Sequence, residues 1–225
     1  FKFCLDPQSQ ERLIRHEANM IDQVMHLDDP GVVKLIDVDF NDQAPWLMYE
    51  FISGGELGAY FANITNPTQR VEFAMESITF LAKTVGRFHR MESPIVHRDL
   101  KPSNILIARD SAGKVRLKIT DFGIGDVMVR QALNEAKQLT KAMASVSTPS
   151  MIRSAYTPLY ASPQQIAGQA SDPRDDVHAL GVMFYQMLQG RFDRGLPKGG
   201  TWRKQLRSTA AIWYQIRRCQ WLAGI

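Results

Sequence analysis

The chain has 225 residues, 44% of them hydrophobic and 22% charged, with a formal net charge of +4. That composition belongs to an ordinary soluble protein able to bury a large core. Its two cysteines, Cys4 and Cys219, are too few and too distant for a disulfide scaffold and fit a reducing compartment, and no signal peptide, membrane-spanning run or internal repeat stands out.

In chain order, residues 12–25 set apolar side chains at three- and four-residue steps, the spacing of an amphipathic helix. After Pro30-Gly31, residues 32–38 and 46–52 read as two strands near the turn-rich Asn41-Asp42-Gln43. Residues 105–108 and 115–120 read as a hairpin about Ser111-Ala112-Gly113-Lys114. Its second strand alternates apolar and polar and runs into Asp121-Phe122-Gly123. A stretch rich in Ser, Thr, Ala and Lys follows, up to Pro163. Residues 175–188 are apolar nearly all round, as a buried helix is, and too few to cross a bilayer. Residues 202–206 and 212–222 read as helical. Their basic cluster, Arg203, Lys204, Arg207, Arg217 and Arg218, reads as a solvated face with no nucleic-acid partner, because no aromatic stacking platform accompanies it.

The chemistry concentrates in His97-Arg98-Asp99-Leu100-Lys101-Pro102-Ser103-Asn104. A carboxylate, an ammonium and a carboxamide stand there at the spacing used by metal-assisted phosphoryl transfer, which needs an in-line hydroxyl and neutralised phosphoryl oxygens. Asp99 can accept the hydroxyl proton and Lys101 can reach the γ-phosphate. Asn104 offers a neutral oxygen to Mg²⁺, and Pro102 stiffens the loop. The hairpin brings Asn104 towards Asp121, making the two a metal-ligand pair, while Gly123 lets the backbone turn. The histidines His16, His26, His89 and His178 show no metal-ligand spacing, so no zinc site is expected.

This string, followed by Asp121-Phe122-Gly123 and then Tyr156-Thr157-Pro158-Leu159-Tyr160 and Ala161-Ser162-Pro163-Gln164, closely resembles the motifs of the protein kinase family, in its serine/threonine branch. The style of residues 176–188 resembles bacterial members. The resemblance implies an α+β, two-lobed fold with an incomplete small lobe and a mainly helical large lobe. Residues 1–52 would be the partial small lobe, with a third strand, the regulatory helix, two strands and the hinge. Residues 53–225 would be the large lobe. It implies catalytic roles for Asp99 and Lys101, and metal ligation by Asn104 and Asp121. An ATP site would comprise Lys2, Glu17 as its ion-pair partner, Glu50 and Ile52 of the hinge, Glu56 and Leu106. His97 would pack in an apolar stack with Ile21, Leu35 and Phe122, and Asp176 would support the catalytic-loop backbone.

The same resemblance makes ATP and Mg²⁺ the cofactors and a protein Ser/Thr hydroxyl the acceptor, since Lys101 and Thr157 together mark serine/threonine kinases. Arg98 would bind a phosphate placed on the activation segment, where Thr140, Ser145, Ser147, Thr148, Ser150 and Ser154 are candidate acceptors. The partners implied are a protein substrate and a second copy for trans-autophosphorylation. The location implied is cytoplasmic, including the cytoplasmic part of a larger anchored protein.

Four departures bear on activity. No Gly-x-Gly-x-x-Gly precedes Lys2, Tyr156 replaces the usual glycine, Gln164 replaces a glutamate, and the chain stops at Ile225 before the last helices. Residues 1–225 by themselves are therefore expected to turn over poorly. A pseudokinase scaffold that signals by binding is the alternative function. A small-molecule kinase of the aminoglycoside or choline type ranks lower, because Thr157-Pro158-x-Tyr160 is foreign to it.

Overall fold

The structure, a computed structural model, describes residues 2–3, 29–39, 46–92, 94–121, 157–193 and 195. The helices expected over 12–25, 202–206 and 212–222, with Glu17, Ile21, Phe122 and Tyr156, lie outside the described residues.

Three short strands, β1 (Lys2–Phe3), β2 (Leu35–Asp39) and β3 (Trp46–Tyr49), form an antiparallel sheet in the order β1-β3-β2. Lys2 stands opposite Leu47, and Leu35 opposite Tyr49, with an irregularity between Leu35 and Asp37. The strand expected over 32–38 is divided between two sheets. Val32 leaves the small sheet to form a parallel bridge with Ile119. There the Val33 amide donates to the Ile119 carbonyl at 2.8 Å, and the Ile119 amide donates to Gly31 at 2.8 Å. The Pro30-Gly31 turn makes that crossing feasible, because a Cβ on Gly31 would stand 2.6 Å from the Thr84 hydroxyl.

The second sheet is the expected hairpin, β4 (Ile105–Arg109) with β5 (Val115–Ile119), in a register that sets Ile105 opposite Ile119. Its turn is built by Asp110, whose Oδ1 accepts from the amides of Ala112 at 3.0 Å and Lys114 at 2.9 Å. Gly113 takes the left-handed conformation at φ 76° that closes the loop. Period-two alternation buries Ile105 and Ile107 on one face of β4 and leaves Leu106 half-buried on the other.

Among the described residues there are four α-helices: α1 (Leu57–Ala62), α2 (Pro67–His89), the single turn α3 (Pro163–Ile166) and α4 (Pro173–Gln189). The helix expected over 175–188 is α4, begun two residues earlier by a capping box. The Asp172 side chain accepts from the Arg174 amide, and Asp175 answers from the third position. Gly190, at φ 68°, ends it. Helix α2, the longest element described, has no counterpart among the expected elements. Asn66 caps it by accepting from the amides of Thr68 at 2.9 Å and Gln69 at 3.2 Å, and Pro67 occupies the first helical position. Its buried stripe runs Val71, Ala74, Leu81, Val85, Phe88, interrupted by buried Ser77 and Thr84. Those two polar residues blur the periodicity that would have revealed the helix.

Helix α2 packs against α4 in the large lobe. Leu57, Leu81, Leu100, Ile105, Ile107, Ile119 and Met183 have no exposed surface, and Phe61 meets Phe192 edge-on at 5.5 Å. Burying each such aliphatic chain is worth about 1.5–3 kcal/mol, an upper estimate. This core underlies the loop between residues 95 and 104 and so fixes its floor.

Candidate active site

The loop of residues 97–104 is held from below by one carboxylate. Asp176, in the first turn of α4 and fully buried, accepts from the backbone amides of His97 at 2.9 Å and Arg98 at 2.8 Å. It also meets His89 Nε2, at the end of α2, at 2.8 Å. A carboxylate with this many donors secures buried amides that would otherwise be left unsatisfied. His97 is itself fully buried, with Nε2 at 2.9 Å from the Thr120 carbonyl. Leu35, expected beside it in the apolar stack, is 4% exposed.

Arg98 adopts a left-handed backbone conformation, φ 64°, uncommon for a long side chain. Its amide is tied to Asp176 and its carbonyl accepts from Gln165 Nε2 at 2.7 Å. The surroundings thus over-determine a strained conformation, which persists only where such ties exist. The side chain has no exposed surface, and Nε lies 3.7 Å from Asp175 Oδ2. The guanidinium expected to receive a phosphate is directed at a carboxylate of α4.

Asp99 follows, and four donors converge on its carboxylate. Oδ1 accepts from the Thr157 amide at 3.0 Å and the Thr157 hydroxyl at 2.9 Å. Oδ2 accepts from Lys101 Nζ at 2.6 Å and Asn104 Nδ2 at 3.2 Å. Lys101 Nζ also donates to Thr157 Oγ1 at 2.9 Å, closing a triangle of Asp99, Lys101 and Thr157. The side chains of Asp99 and Lys101 are about a quarter exposed, at 23% and 25%, so this cluster faces solvent while its supports do not.

Asn104 and Asp121 are joined through the hairpin. The Ile105–Ile119 register and the bond from the Thr120 amide to the Asn104 carbonyl, 2.9 Å, carry the chain from one to the other. Asn104 uses Nδ2 for both of its described side-chain bonds, to the Asp99 carbonyl at 2.8 Å and to Oδ2. Its Oδ1 is then the atom suited to a hard cation. Asp121 stands at φ 60°, the second non-glycine residue of this loop region in the left-handed conformation, and accepts from the Thr120 hydroxyl at 3.3 Å. Carboxylate and carboxamide oxygens are the donor set that Mg²⁺ takes, so these residues fit that ion.

The segment that follows β3 is built around Glu50. Its amide donates to the Lys34 carbonyl at 2.9 Å, while its Oε1 accepts from the Lys34 amide at 2.8 Å and pairs with Lys118 of β5. Both the carboxylate and the amide of Glu50 are thus engaged, which leaves its carbonyl as the backbone group to offer a ligand. Phe51 is 91% exposed and Ile52 half-buried. Gly54 then packs so tightly on β4 that an added Cβ would lie 2.1 Å from the Ile107 carbonyl oxygen. Glu56 forms an antiparallel bridge with Leu106, placing those two predicted residues side by side. Lys2 is placed in β1 opposite Leu47; its expected pairing with Glu17 lies outside the described residues.

Hydrogen bonds therefore join Asp99, Lys101, Asn104 and Thr157, the Thr120–Asn104 backbone bond sets Asp121 beside them in the chain, and Glu56 bridges to Leu106 a few residues after Glu50 and Ile52. Three supports went unassigned from sequence: Ser162, Gln165 and Asp175. The one available signal was the doubled Asp175-Asp176 at a helix start, of which a single member was given a role. Further out, burial pushes the Tyr160 phenol above its ordinary range, with the Gln186 hydrogen bond opposing. Burial likewise pushes the His178 imidazole down, with the Asp175 charge opposing.

The sequence profile described as the protein kinase domain matches residues 4–212. Among curated relatives, the serine/threonine-protein kinase pkn2 of Myxococcus xanthus is 30% identical over 186 residues, which cover 82% of this chain and 20% of that protein. PrkC of Bacillus subtilis is 27% identical, covering 83% of this chain and 25% of PrkC. VIK of Arabidopsis thaliana is 27% identical, covering 84% of this chain and 40% of VIK. The chain thus spans between about a fifth and two fifths of the length of these relatives. Among solved structures, a double mutant of the PknI kinase domain of Mycobacterium tuberculosis superposes with a TM-score of 0.58 at 21% identity. The match covers 88% of this chain and 66% of that one.

Proposed function

This chain belongs to the protein kinase domain family, and from that premise we propose that it transfers the γ-phosphoryl group of ATP to Ser or Thr hydroxyls of a protein substrate. The observation that carries the proposal is the convergence of Lys101 and Thr157 on the two oxygens of Asp99, beside Asn104 and Asp121. Residues 1–52 would contribute the small-lobe side of the cleft and residues 53–225 the large lobe.

In this reading Asp99 orients the acceptor hydroxyl and takes its proton, while Lys101 places a fixed positive charge where negative charge is held on the transferring group. Thr157 fixes both. Its amide and hydroxyl set the orientation of Asp99 Oδ1, and its oxygen accepts from Lys101, so base and cation keep one relative geometry before substrate arrives. Mg²⁺, held by Asn104 Oδ1 and an Asp121 oxygen, would neutralise phosphate charge. Backbone groups of Glu50 and Ile52 would meet the adenine edge, with Leu106 and Glu56 below it, and Lys2 paired with Glu17 would steady the phosphates.

Protein substrates, a second copy as partner in autophosphorylation and a cytoplasmic location, where ATP is plentiful, complete the proposal. Among the described residues no helix is long and apolar enough to cross a membrane. The test uses the full-length protein with radiolabelled ATP and Mg²⁺. We expect label on Ser or Thr, reduced by about 10²- to 10⁴-fold in Asp99→Asn. Binding of ATP with Mg²⁺ but no transfer would refute the enzyme and leave a binding scaffold.

A further inference from the structure

Asp175 and Asp176 are adjacent, both in the first turn of α4, both without exposed surface, and they do different things. Asp176 holds backbone amides; Asp175 faces a side chain. Its Oδ1 accepts from the Ser162 hydroxyl at 2.5 Å, and its Oδ2 lies 3.4 Å from the Asp172 amide and 3.7 Å from Arg98 Nε. Ser162, Asp175 and the Arg98 side chain are all fully buried. Around them, Gln165 Nε2 donates to the Arg98 carbonyl, and Arg98 Nη2 lies 3.5 Å from the Gln169 carbonyl. Each of these described contacts to Arg98 comes from residues 162–176.

We propose that Asp175, steadied by Ser162, is the positioning residue that holds Arg98, and through it Asp99, so that an internal carboxylate occupies the role an activation-segment phosphate would fill and turnover does not depend on that phosphate. The proposal deepens the kinase reading and rests on it. A phosphate acts by bringing negative charge to an arginine and so ordering the segment that carries both. Here the negative charge is already built into a capped helix, beside a guanidinium with no exposed surface. Drawing Arg98 out to a phosphate would leave Asp175 buried and without its countercharge, which is strongly unfavourable. It would also release one of the contacts that hold Arg98 at φ 64°, next to the residue that must face the acceptor hydroxyl.

The full-length protein, autophosphorylated or phosphatase-treated, supplies the test, with kcat, KM for ATP and amide hydrogen exchange across residues 97–101 as readouts. The two forms should agree in kcat within about twofold and exchange alike. Asp175→Asn should lower kcat about tenfold with KM for ATP nearly unchanged, and speed exchange of the loop, as loss of positioning does. Ser162→Ala, which keeps the charge pair and is the variant to rely on if Asp175→Asn does not fold, should move both readouts the same way by less. A tenfold fall in kcat or faster loop exchange after phosphatase treatment overturns the proposal. So do unchanged kcat and exchange in both variants. If the wild type transfers no phosphate, the kinase reading has failed, and loop exchange in Asp175→Asn and Ser162→Ala against wild type still decides whether Asp175 orders the loop.

Discussion

Replacing Asp176 by alanine separates support from chemistry. Its carboxylate is the acceptor for two buried backbone amides, at 2.9 and 2.8 Å, and lies 2.8 Å from His89. Alanine removes the oxygens on which both amides depend. A buried amide deprived of its partner costs about 1–3 kcal/mol, so at about 2 kcal/mol each the pair costs about 4 kcal/mol. For a domain of this size that is a fall of roughly 8–16 °C in Tm. Urea titration of the full-length protein, following this domain, should show a lower midpoint with an unchanged slope. Asp176→Asn, which retains one oxygen, should fall between alanine and wild type. Asp99→Asn is the contrast: phosphoryl transfer should collapse, while stability, because this side chain is partly exposed, changes by less than about 1 kcal/mol. If Asp176→Ala costs under about 1 kcal/mol and leaves amide exchange at His97 and Arg98 unchanged, the support assigned to α4 is wrong.

Three further outcomes follow from the same geometry. Leu81→Ala, in the fully buried stripe of α2, should cost about 3 kcal/mol by chemical denaturation, and a cost below about 1 kcal/mol would mean α2 does not face the core. Gly54→Ala must displace the hinge from the Ile107 carbonyl, so ATP affinity measured by calorimetry should fall at least several-fold. Wild-type affinity would show that the segment around Gly54 takes no part in ATP binding. Asp172, hydrogen-bonded by the Arg174 side chain and amide, has its pKa lowered to about 2. A carboxyl group depressed in the folded state stabilises above its unfolded value near 3.8, and that contribution fades as pH falls towards 2. Urea midpoints of wild type and Asp172→Asn should therefore differ above about pH 4 and converge below it; a constant gap down to about pH 2 would contradict the assignment.

What the chain disclosed on its own was whatever depends on neighbours in sequence. The string from His97 to Asn104 and the alternating strand into Asp121 carry their chemistry and spacing within a few residues, so the hairpin was legible, while its register had to come from the structure. Helix α4 was legible because its apolar character is nearly unbroken. Helix α2 was not, since Ser77 and Thr84 occupy its buried face and its partner is a helix far along the chain. The strand over 32–38 was half right: local propensity marks an extended segment, whereas the split between β2 and the bridge to Ile119 is settled by which sheet offers a partner. Arg98 makes the distinction sharpest. Its charge suits either a phosphate or a carboxylate, and sequence cannot rank them, because the choice rests on burial and on Asp175 arriving from α4. Ion pairing is decided by distance and desolvation, and those exist only once the chain has folded.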